Sequence, residues 1–180
     1  MRRTLAACGL VTLVLASGLV QAQAPFTAAE LTRLAGTWEL DAAGDPSVPA
    51  ERRIITVSSD SLKVEIVRAG DARPPRLTYR LDGQNTAADF GSGKATGRLI
   101  RERSAVVTET VYEVNNSPIT IRDILSVNAD GSRLTVNTTL RVEHGYEGPL
   151  PPGATKSPNV SNAVVVFIRR PWCQRVEPVH

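Results

Sequence analysis

The sequence predicts an all-β fold, an up-and-down antiparallel barrel of eight or nine strands that follows one short helix. From residue 52 onward, apolar and polar residues alternate with a period of two, which is typical of strands with one buried face. Mostly short turns separate these segments, and short turns join antiparallel neighbours. Such strands either stack as a sandwich or close into a barrel, and closure removes exposed sheet edges.

Residues 1–22 are predicted to be a signal peptide. Arg2 and Arg3 give a short basic start, residues 5–20 form an uncharged apolar run, and small residues follow. The run is shorter than the ~20 apolar residues that a membrane-spanning helix needs. Cleavage after Ala22 leaves residues 23–180 as one domain with a tail at 172–180. We therefore expect an exported protein, periplasmic or secreted, with no transmembrane segment in the mature chain.

The tetrapeptide Leu5-Ala6-Ala7-Cys8 is similar to a bacterial lipobox, which would imply a lipid anchor. Only residues 1–4 precede it, so the apolar run lies after the cysteine and not before it. This order favours export without a lipid anchor.

Loss of the signal changes the charge and the cysteine count. The whole chain has 21 Lys and Arg against 18 Asp and Glu, and without Arg2 and Arg3 the balance is 19 against 18, a net of +1. This balance does not favour a nucleic-acid partner. Cys173 is left without an internal partner, so the domain must fold without a disulfide, and a single domain of this size buries a sufficient core.

The elements are predicted in chain order. Residues 26–34 form a helix, because Thr27-Ala28-Ala29-Glu30 has the spacing of a capping box and Gly36 follows the last turn. Residues 84–93, polar and glycine-bearing, are predicted to be a loop, as is the proline-rich segment 144–161. The last strand, at 162–170, is apolar on both faces, and closure places it between two neighbours. The remaining strands are predicted at 38–41, 52–58, 62–66, 77–81, 96–103, 105–114, 119–127 and 134–142.

The most specific motif is Leu34-Ala35-Gly36-Thr37-Trp38-Glu39-Leu40. A short helix that leads into Gly-Thr-Trp and then into a meander of strands resembles the lipocalins and their calycin relatives, and most of all small exported bacterial proteins with a lipocalin-like domain. The resemblance covers the whole mature chain in layout but only residues 34–40 in motif. It implies that Gly36, Trp38 and either Arg169 or Arg170 form a structural plug, with an arginine over the indole ring at the barrel floor.

The resemblance implies no particular ligand, because the chain departs from the barrels whose ligands are recognisable. Avidin-like barrels stack several tryptophans on their ligand, whereas the other tryptophan here is Trp172, in the tail. Haem-binding barrels of the nitrobindin kind need a well-placed histidine, and neither His144 nor His180 lies on a predicted strand. We therefore expect no cofactor.

The sequence contains few residue patterns that are typical of catalytic or metal-binding sites. The His, Cys and carboxylate residues show no metal-ligand spacing, and two histidines offer little for an activated nucleophile. Glu109 and Glu113 could serve as an acid–base pair, but their spacing on a strand favours a solvated face. We expect no catalytic residue, no metal site and no enzymatic activity.

Asp123 is the polar residue that says most about the interior. It shares the apolar phase of its strand with Ile119, Ile121, Leu125 and Val127. A carboxylate in that position is costly unless water or a cation accompanies it. Either Asp123 lies at a water-filled mouth, or it pairs with an arginine. Pairing is favoured, with the candidates Arg80, Arg98 and Arg141.

The candidate ligand contacts lie in the inward phases of their strands: Tyr79, Asp123, Phe167, Ile121 and Val136. Inward aromatic residues could line a pocket for a small hydrophobic molecule. They could equally fill a small barrel, which packs its interior with side chains. The composition leaves both alternatives open.

The sequence is therefore compatible with two alternative functions. An exported lipocalin-like binder of a small apolar or amphipathic molecule requires an internal pocket of ~300 Å³ or more. A filled barrel that acts as an envelope-associated protein-interaction or structural module requires an exposed apolar patch of several hundred Å² near the 144–161 loop. An outer-membrane barrel is disfavoured, because charged residues occupy the outward phases. These are Lys63, Glu65, Arg80 and Arg141.

Overall fold

The computed structural model describes residues 26–42, 47–89, 94–114, 117–143 and 157–170. The predicted signal peptide, both histidines, Trp172, Cys173 and most of the 144–161 loop lie outside these residues. No helix within the described ranges is both long and apolar enough to cross a bilayer.

The described chain is one short helix followed by ten strands. The helix α1 spans Ala28–Leu31 and continues as a 3₁₀ turn over Thr32–Leu34. The strands are β1 Gly36–Leu40, β2 Glu51–Val57, β3 Ser61–Arg68, β4 Arg76–Arg80, β5 Thr86–Asp89, β6 Lys94–Glu102, β7 Ala105–Val114, β8 Ser117–Val127, β9 Arg133–Val142 and β10 Asn159–Arg170.

The ten strands form a closed antiparallel barrel in which each strand pairs with its neighbours in the chain. The first and last strands close it, with Trp38 opposite Arg169. The predicted up-and-down barrel is confirmed, and the last strand lies between β9 and β1 as closure requires. A sandwich is excluded.

The strand count is ten and not eight or nine, because residues 84–93 contain the short strand β5. Its backbone pairs with β4 at a single position, Arg76 with Asp89. The Thr86 hydroxyl donates towards the carbonyls of Thr78 at 2.6 Å and Gly97 at 3.0 Å, on the strands to either side. A polar side chain therefore strengthens a pairing that an apolar alternation does not reveal.

The helix is shorter than predicted, but its predicted cap is present. The Glu30 amide donates to the Thr27 hydroxyl, and the Glu30 carboxylate accepts from the Thr27 amide at 2.8 Å. This backbone bond, with the side-chain bond from Arg101, lowers the pKa of Glu30 to about 2. Leu31 and Leu34 are buried, so the helix covers one end of the barrel.

The end that the helix covers is the packed part of the molecule, here called the closed half. The largest of its fully buried side chains are Trp38, Tyr79, Phe167, Leu31, Leu62, Leu99, Leu134 and Val136. The opposite end, called the open half, is reached by the connections after β1, β3, β5, β7 and β9.

Candidate binding site

Trp38 forms the floor of the closed half. Its side chain is fully buried, and its indole N–H donates to the carbonyl of Leu34 at 2.8 Å. The guanidinium carbon of Arg169 lies 4.3 Å from the ring centre. The same guanidinium donates to three backbone carbonyls, those of Gly131, Ala35 and Arg33, at 2.7, 2.9 and 2.6 Å. Arg169 thus ties β10, the helix end and the β8–β9 turn together over the indole.

Arg170 has a different role from Arg169, because successive side chains of a strand point to opposite faces. It lies on the outside of the barrel and pairs with Glu39. Of the two arginines predicted to cover Trp38, only Arg169 does so. Gly36 makes room for it, since a Cβ there would lie 3.1 Å from the Arg169 Nη1 atom and the backbone has a φ of +147°.

The five predicted ligand contacts do not meet in one pocket. Tyr79, Val136 and Phe167 are buried in the closed half, with no more than 2% of any side chain exposed. Ile121 and Asp123 are half-buried and lie further towards the open half. The assignment of these five residues to a ligand site stays a prediction. The three buried residues lie in the packed core, whereas the two half-buried residues lie where the interior is accessible.

Tyr79 is packed and hydrogen-bonded inside the barrel. Its hydroxyl lies 2.8 Å from the Thr110 hydroxyl on β7, and burial raises its pKa to about 12. Gly97 on β6 is necessary for this position, because a Cβ there would come within 2.9 Å of the Tyr79 ring. The sequence gives one signal of this contact, a glycine in the interior of a strand, which often marks close approach of another group.

Asp123 is paired, as the sequence favoured, but its partner is Arg53 and none of the three predicted arginines. The Arg53 Nη1 atom lies 3.4 Å from the Asp123 carboxylate, and the Thr138 hydroxyl donates to the other carboxylate oxygen at 2.5 Å. The predicted partners point outward and pair with carboxylates nearby in the sheet: Arg80 with Asp82, Arg98 with Glu109 and Arg141 with Glu143. Arg53 was recognisable, because it shares its inward phase with Ile55.

Arg53 belongs to a partly buried cluster that we call the Arg53 layer: Glu51, Arg53, Arg68, Asp123 and Thr138. Its outermost side chain, Arg68, is 47% exposed. The Arg53 side chain is 10% exposed, and its Nε atom donates to Glu51 at 3.0 Å. The other oxygen of Glu51 accepts from Arg68 at 2.8 Å. Two cations therefore face two carboxylates, and the pairing from β2 to β8 spans the interior of the barrel.

The Arg53 layer borders the closed half directly. The guanidinium carbon of Arg53 lies 4.8 Å from the centre of the Phe167 ring. Phe167 belongs to the packed core, whereas the inward residues of β8, β9 and β10 beyond the layer are accessible. Ile119, Ile121, Leu140 and Val142 are half-buried, and Ser161 and Ala163 are exposed although they point inward. The interior is thus packed on one side of the layer and accessible along β8, β9 and β10 on the other, whereas Ala88 of β5 and Ala95 of β6 are buried.

A cleft of about 370 Å³ lies at the rim of the open half. Its lining includes Leu40, where β1 ends, together with Glu51 and Arg68 of the Arg53 layer. The cleft thus combines an apolar wall with the paired charges of Glu51 and Arg68, and Arg52 lines it as well.

Within the part of the chain that the structure describes, no group of three or more His, Cys, Asp or Glu side chains could hold a metal ion. The described site offers hydrogen-bonding groups, paired charges and apolar walls. These suit the binding of an organic molecule.

No family model matches this chain, and no curated protein matches it. Among solved structures it is similar to a "secretary abundant heat soluble (SAHS) protein" from Ramazzottius varieornatus, described as coming from a dimer sample. The TM-score is 0.51 at 12% identity, over 77% of this chain and 96% of that chain. At that identity the likeness concerns the fold alone, and it supports the barrel. The closer resemblance to small exported bacterial proteins stays a prediction.

Proposed function

We propose that this chain is an exported barrel protein that binds a small amphipathic molecule with an uncharged polar head. The observation that carries the proposal is the division of the interior at the Arg53 layer. Beyond it, inward-facing side chains of β8, β9 and β10 are partly exposed, whereas a filled barrel would bury them. Ten strands also enclose a wider lumen than the eight of a lipocalin barrel.

The apolar part of the ligand would lie against the side chains of the open half. Ile119, Ile121, Leu140 and Val142 face inward and are half-buried, so a ligand chain would remove further apolar surface from water. The rim cleft of about 370 Å³ lies on another wall, at β1, β2 and β3, and none of these four residues lines it, so it supports only an opening at this end of the barrel. Tyr79, Val136 and Phe167 would support the site from the closed half without contacting the ligand.

The head group follows from the charges of the Arg53 layer. Arg53 and Arg68 are balanced by Glu51 and Asp123, and each of these charges has a partner within 3.4 Å. A charged head that reached Arg53 or Asp123 would have to compete with their mutual pairing and leave a buried charge uncompensated, which is costly. A hydroxyl or amide head can hydrogen-bond at the layer without that cost. The ligand we expect is an alcohol, a glyceride or an amide.

The test compares three probes of one chain length, 1-dodecanol, dodecanoate and dodecylammonium, by titration calorimetry below their aggregation concentrations. We expect dodecanol to bind about tenfold or more tighter than either ion, which corresponds to roughly 1.4 kcal/mol. Asp123→Asn removes one negative charge beside Arg53 and should shift the preference towards dodecanoate. Tightest binding of dodecanoate to the unmodified protein would contradict the proposed head group.

The location of the site needs its own matched pair of variants. Ile121→Asp places a charge inside the open half and should abolish dodecanol binding, whereas Val111→Asp alters a valine on the outside of β7 and should leave it unchanged. Thermal melting confirms that both variants fold. If both variants lost dodecanol binding equally, or if the unmodified protein did not bind dodecanol at all, the open half would not be the binding site.

Export is the part of the proposal that concerns the N-terminus. The uncharged run at 5–20 after Arg2 and Arg3 supports it, and cleavage after Ala22 gives a mature protein that begins at Gln23. N-terminal sequencing of protein recovered from an exporting host checks this, with Met1 or a modified Cys8 as the contrary results. We propose no catalytic activity.

The alternative function is that of an envelope-associated interaction module. Its specific support is the exposed apolar surface on β10, where Val160 is 53% and Val164 is 68% exposed. This strand begins at Asn159, so residues 159–161 of the predicted 144–161 loop belong to it and the remaining proline-rich segment directly precedes the exposed valines. The two functions use different surfaces, so one chain can serve both.

A further inference from the structure

The last strand, β10, is longer than the strand that closes the barrel against it. β10 spans Asn159–Arg170, whereas β1 pairs only with its end, from Phe167 to Arg170. One more backbone bond follows, from the amide of Asp41 to the carbonyl of Val166 at 2.9 Å. Among the described residues, no strand pairs with residues 159–165 on this side. That part of β10 is a free sheet edge within a closed barrel.

The free edge lacks the protection that sheet edges usually have. Proteins blunt exposed edges with charged residues, prolines, bulges or a covering element. Residues 159–168 contain no charged residue and no proline, and residues 159–164 are all exposed. The apolar side chains Val160 and Val164 extend into solvent on the outer face. An edge of this kind is suited to pairing with another strand.

The direction of the unpaired backbone groups can be read from their neighbours. The Val166 carbonyl accepts from the amide of Asp41, which follows β1, whereas the Arg169 amide donates to the carbonyl of Ser132, next to β9. Even-numbered residues therefore direct their N–H and C=O groups to the β1 side, and odd-numbered residues direct theirs to β9. Val160, Asn162 and Val164 thus present their backbone groups at the free edge.

We propose that this edge pairs with the same edge of a second copy of the chain, antiparallel and about a two-fold axis at Asn162. In that register Asn162 lies opposite Asn162 of the second copy, and Val160 lies opposite Val164. All three positions are hydrogen-bonded pairs, so the backbone groups that each edge presents are satisfied. Ser161 and Ala163, both small, lie opposite each other on the inner face.

The residues of the edge match themselves in chemistry as well as in register. Val160 and Val164 bury each other's exposed surface, and cross-strand pairs of β-branched residues stabilise a sheet. No charge lies within residues 159–165, so two copies meet without repulsion between like charges. On the same face, Arg141 lies opposite Val160 on β9 and is paired with Glu143. Residues 159–165 themselves offer an acidic or basic protein no complementary charge, which favours a second copy.

The first test uses two variants of the same residue. Asn162→Pro removes the amide that both edges need at the axis, while Asn162→Ala removes the side chain and keeps the amide. Sedimentation equilibrium over a range of concentrations should show a monomer–dimer equilibrium for the unmodified protein and for Asn162→Ala. Asn162→Pro should be monomeric with an unchanged circular dichroism spectrum. A monomer throughout for the unmodified protein, or equal dimerisation of both variants, would overturn the proposal.

The second test fixes the register and does not depend on dimer strength. In a Cys173→Ser background, Asn162→Cys places two cysteines opposite each other at a Cα separation of ~5.5 Å, which a disulfide spans. Mild oxidation should give a covalent dimer of this variant, and none of Val111→Cys, whose strand is paired on both sides. Equal cross-linking of both variants would mean random collision and contradict the pairing. The ligand titrations do not depend on this edge, so either proposal can fail alone.

Discussion

The closed and open halves of this barrel are built from the same strands but filled differently. The closed half holds Trp38, Tyr79 and Phe167, all fully buried. The inward positions of the open half on β10 include Ser161 and Ala163, which are small and exposed. Small side chains cannot fill the lumen of a ten-stranded barrel. The difference shows that side-chain volume, and not strand pairing, decides which part of the interior is core.

The Arg53 layer makes the boundary between the halves definite. Its ion pair with Asp123 crosses from one wall of the barrel to the opposite wall, directly above Phe167. A buried ion pair contributes little net stability, but the loss of one partner is expensive. The layer is therefore best understood as a fixed polar surface at which the packed core ends.

The largest expected effect on stability comes from the removal of Trp38, the floor of the closed half. Trp38→Ala should lower the free energy of unfolding by ~3–5 kcal/mol, because a fully buried ring leaves a cavity that its neighbours cannot fill. Ile121→Ala in the half-buried open half should cost less than half as much. Urea denaturation of both variants measures the contrast, and equal losses would mean that the two halves are packed alike.

A smaller change in the free energy of unfolding is expected when the two arginines at the end of β10 are replaced, and it should differ between them. Arg169→Lys should lower the free energy of unfolding by ~1–3 kcal/mol, since an ammonium cannot reach three carbonyls while lying over the Trp38 ring. Arg170→Lys keeps an exposed ion pair with Glu39 and should change stability by less than ~0.5 kcal/mol. Similar denaturation midpoints for both variants would contradict a special role for Arg169.

The smallest expected effect on stability at neutral pH comes from the titration of Tyr79. This titration becomes visible only at alkaline pH. Burial raises its pKa to about 12, so folding favours the protonated phenol. The folded state should keep this contribution below the ordinary tyrosine pKa of ~10 and lose it as the pH rises through about 12. A tyrosinate absorbance titration should contain a late step that Tyr79→Phe lacks. The same late step in Tyr79→Phe would assign it to another residue.

Much of the barrel followed from local patterns. Period-two alternation located most of the strands, short turns required antiparallel order, and the capping box marked the start of the helix. The pattern was insufficient for β5, since a four-residue strand is shorter than the window over which alternation is recognised. It was also insufficient for the helix end, where the last turn tightens to a 3₁₀ geometry.

The site could be predicted only in part. The inward phase of Asp123 indicated an interior carboxylate that needed a partner, and this was correct. The identity of the partner was missed, because Arg53 is 70 residues away and meets Asp123 only when the barrel closes. The period-two alternation of their own strands places Arg80, Arg98 and Arg141 on the outer face, and this alone would have excluded them as partners of Asp123.

The sequence by itself determined the class of fold, the inward and outward faces of its strands and the position of Trp38 at the first strand. These depend on local periodicity and on turn and capping residues, which adjacent positions in the chain encode. Only the tertiary structure decided which arginine covers Trp38, that Arg53 joins Asp123, and that β10 extends past its partner to leave a free edge. Each of these depends on the register of strands distant in sequence, and register is fixed when the whole barrel packs and closes.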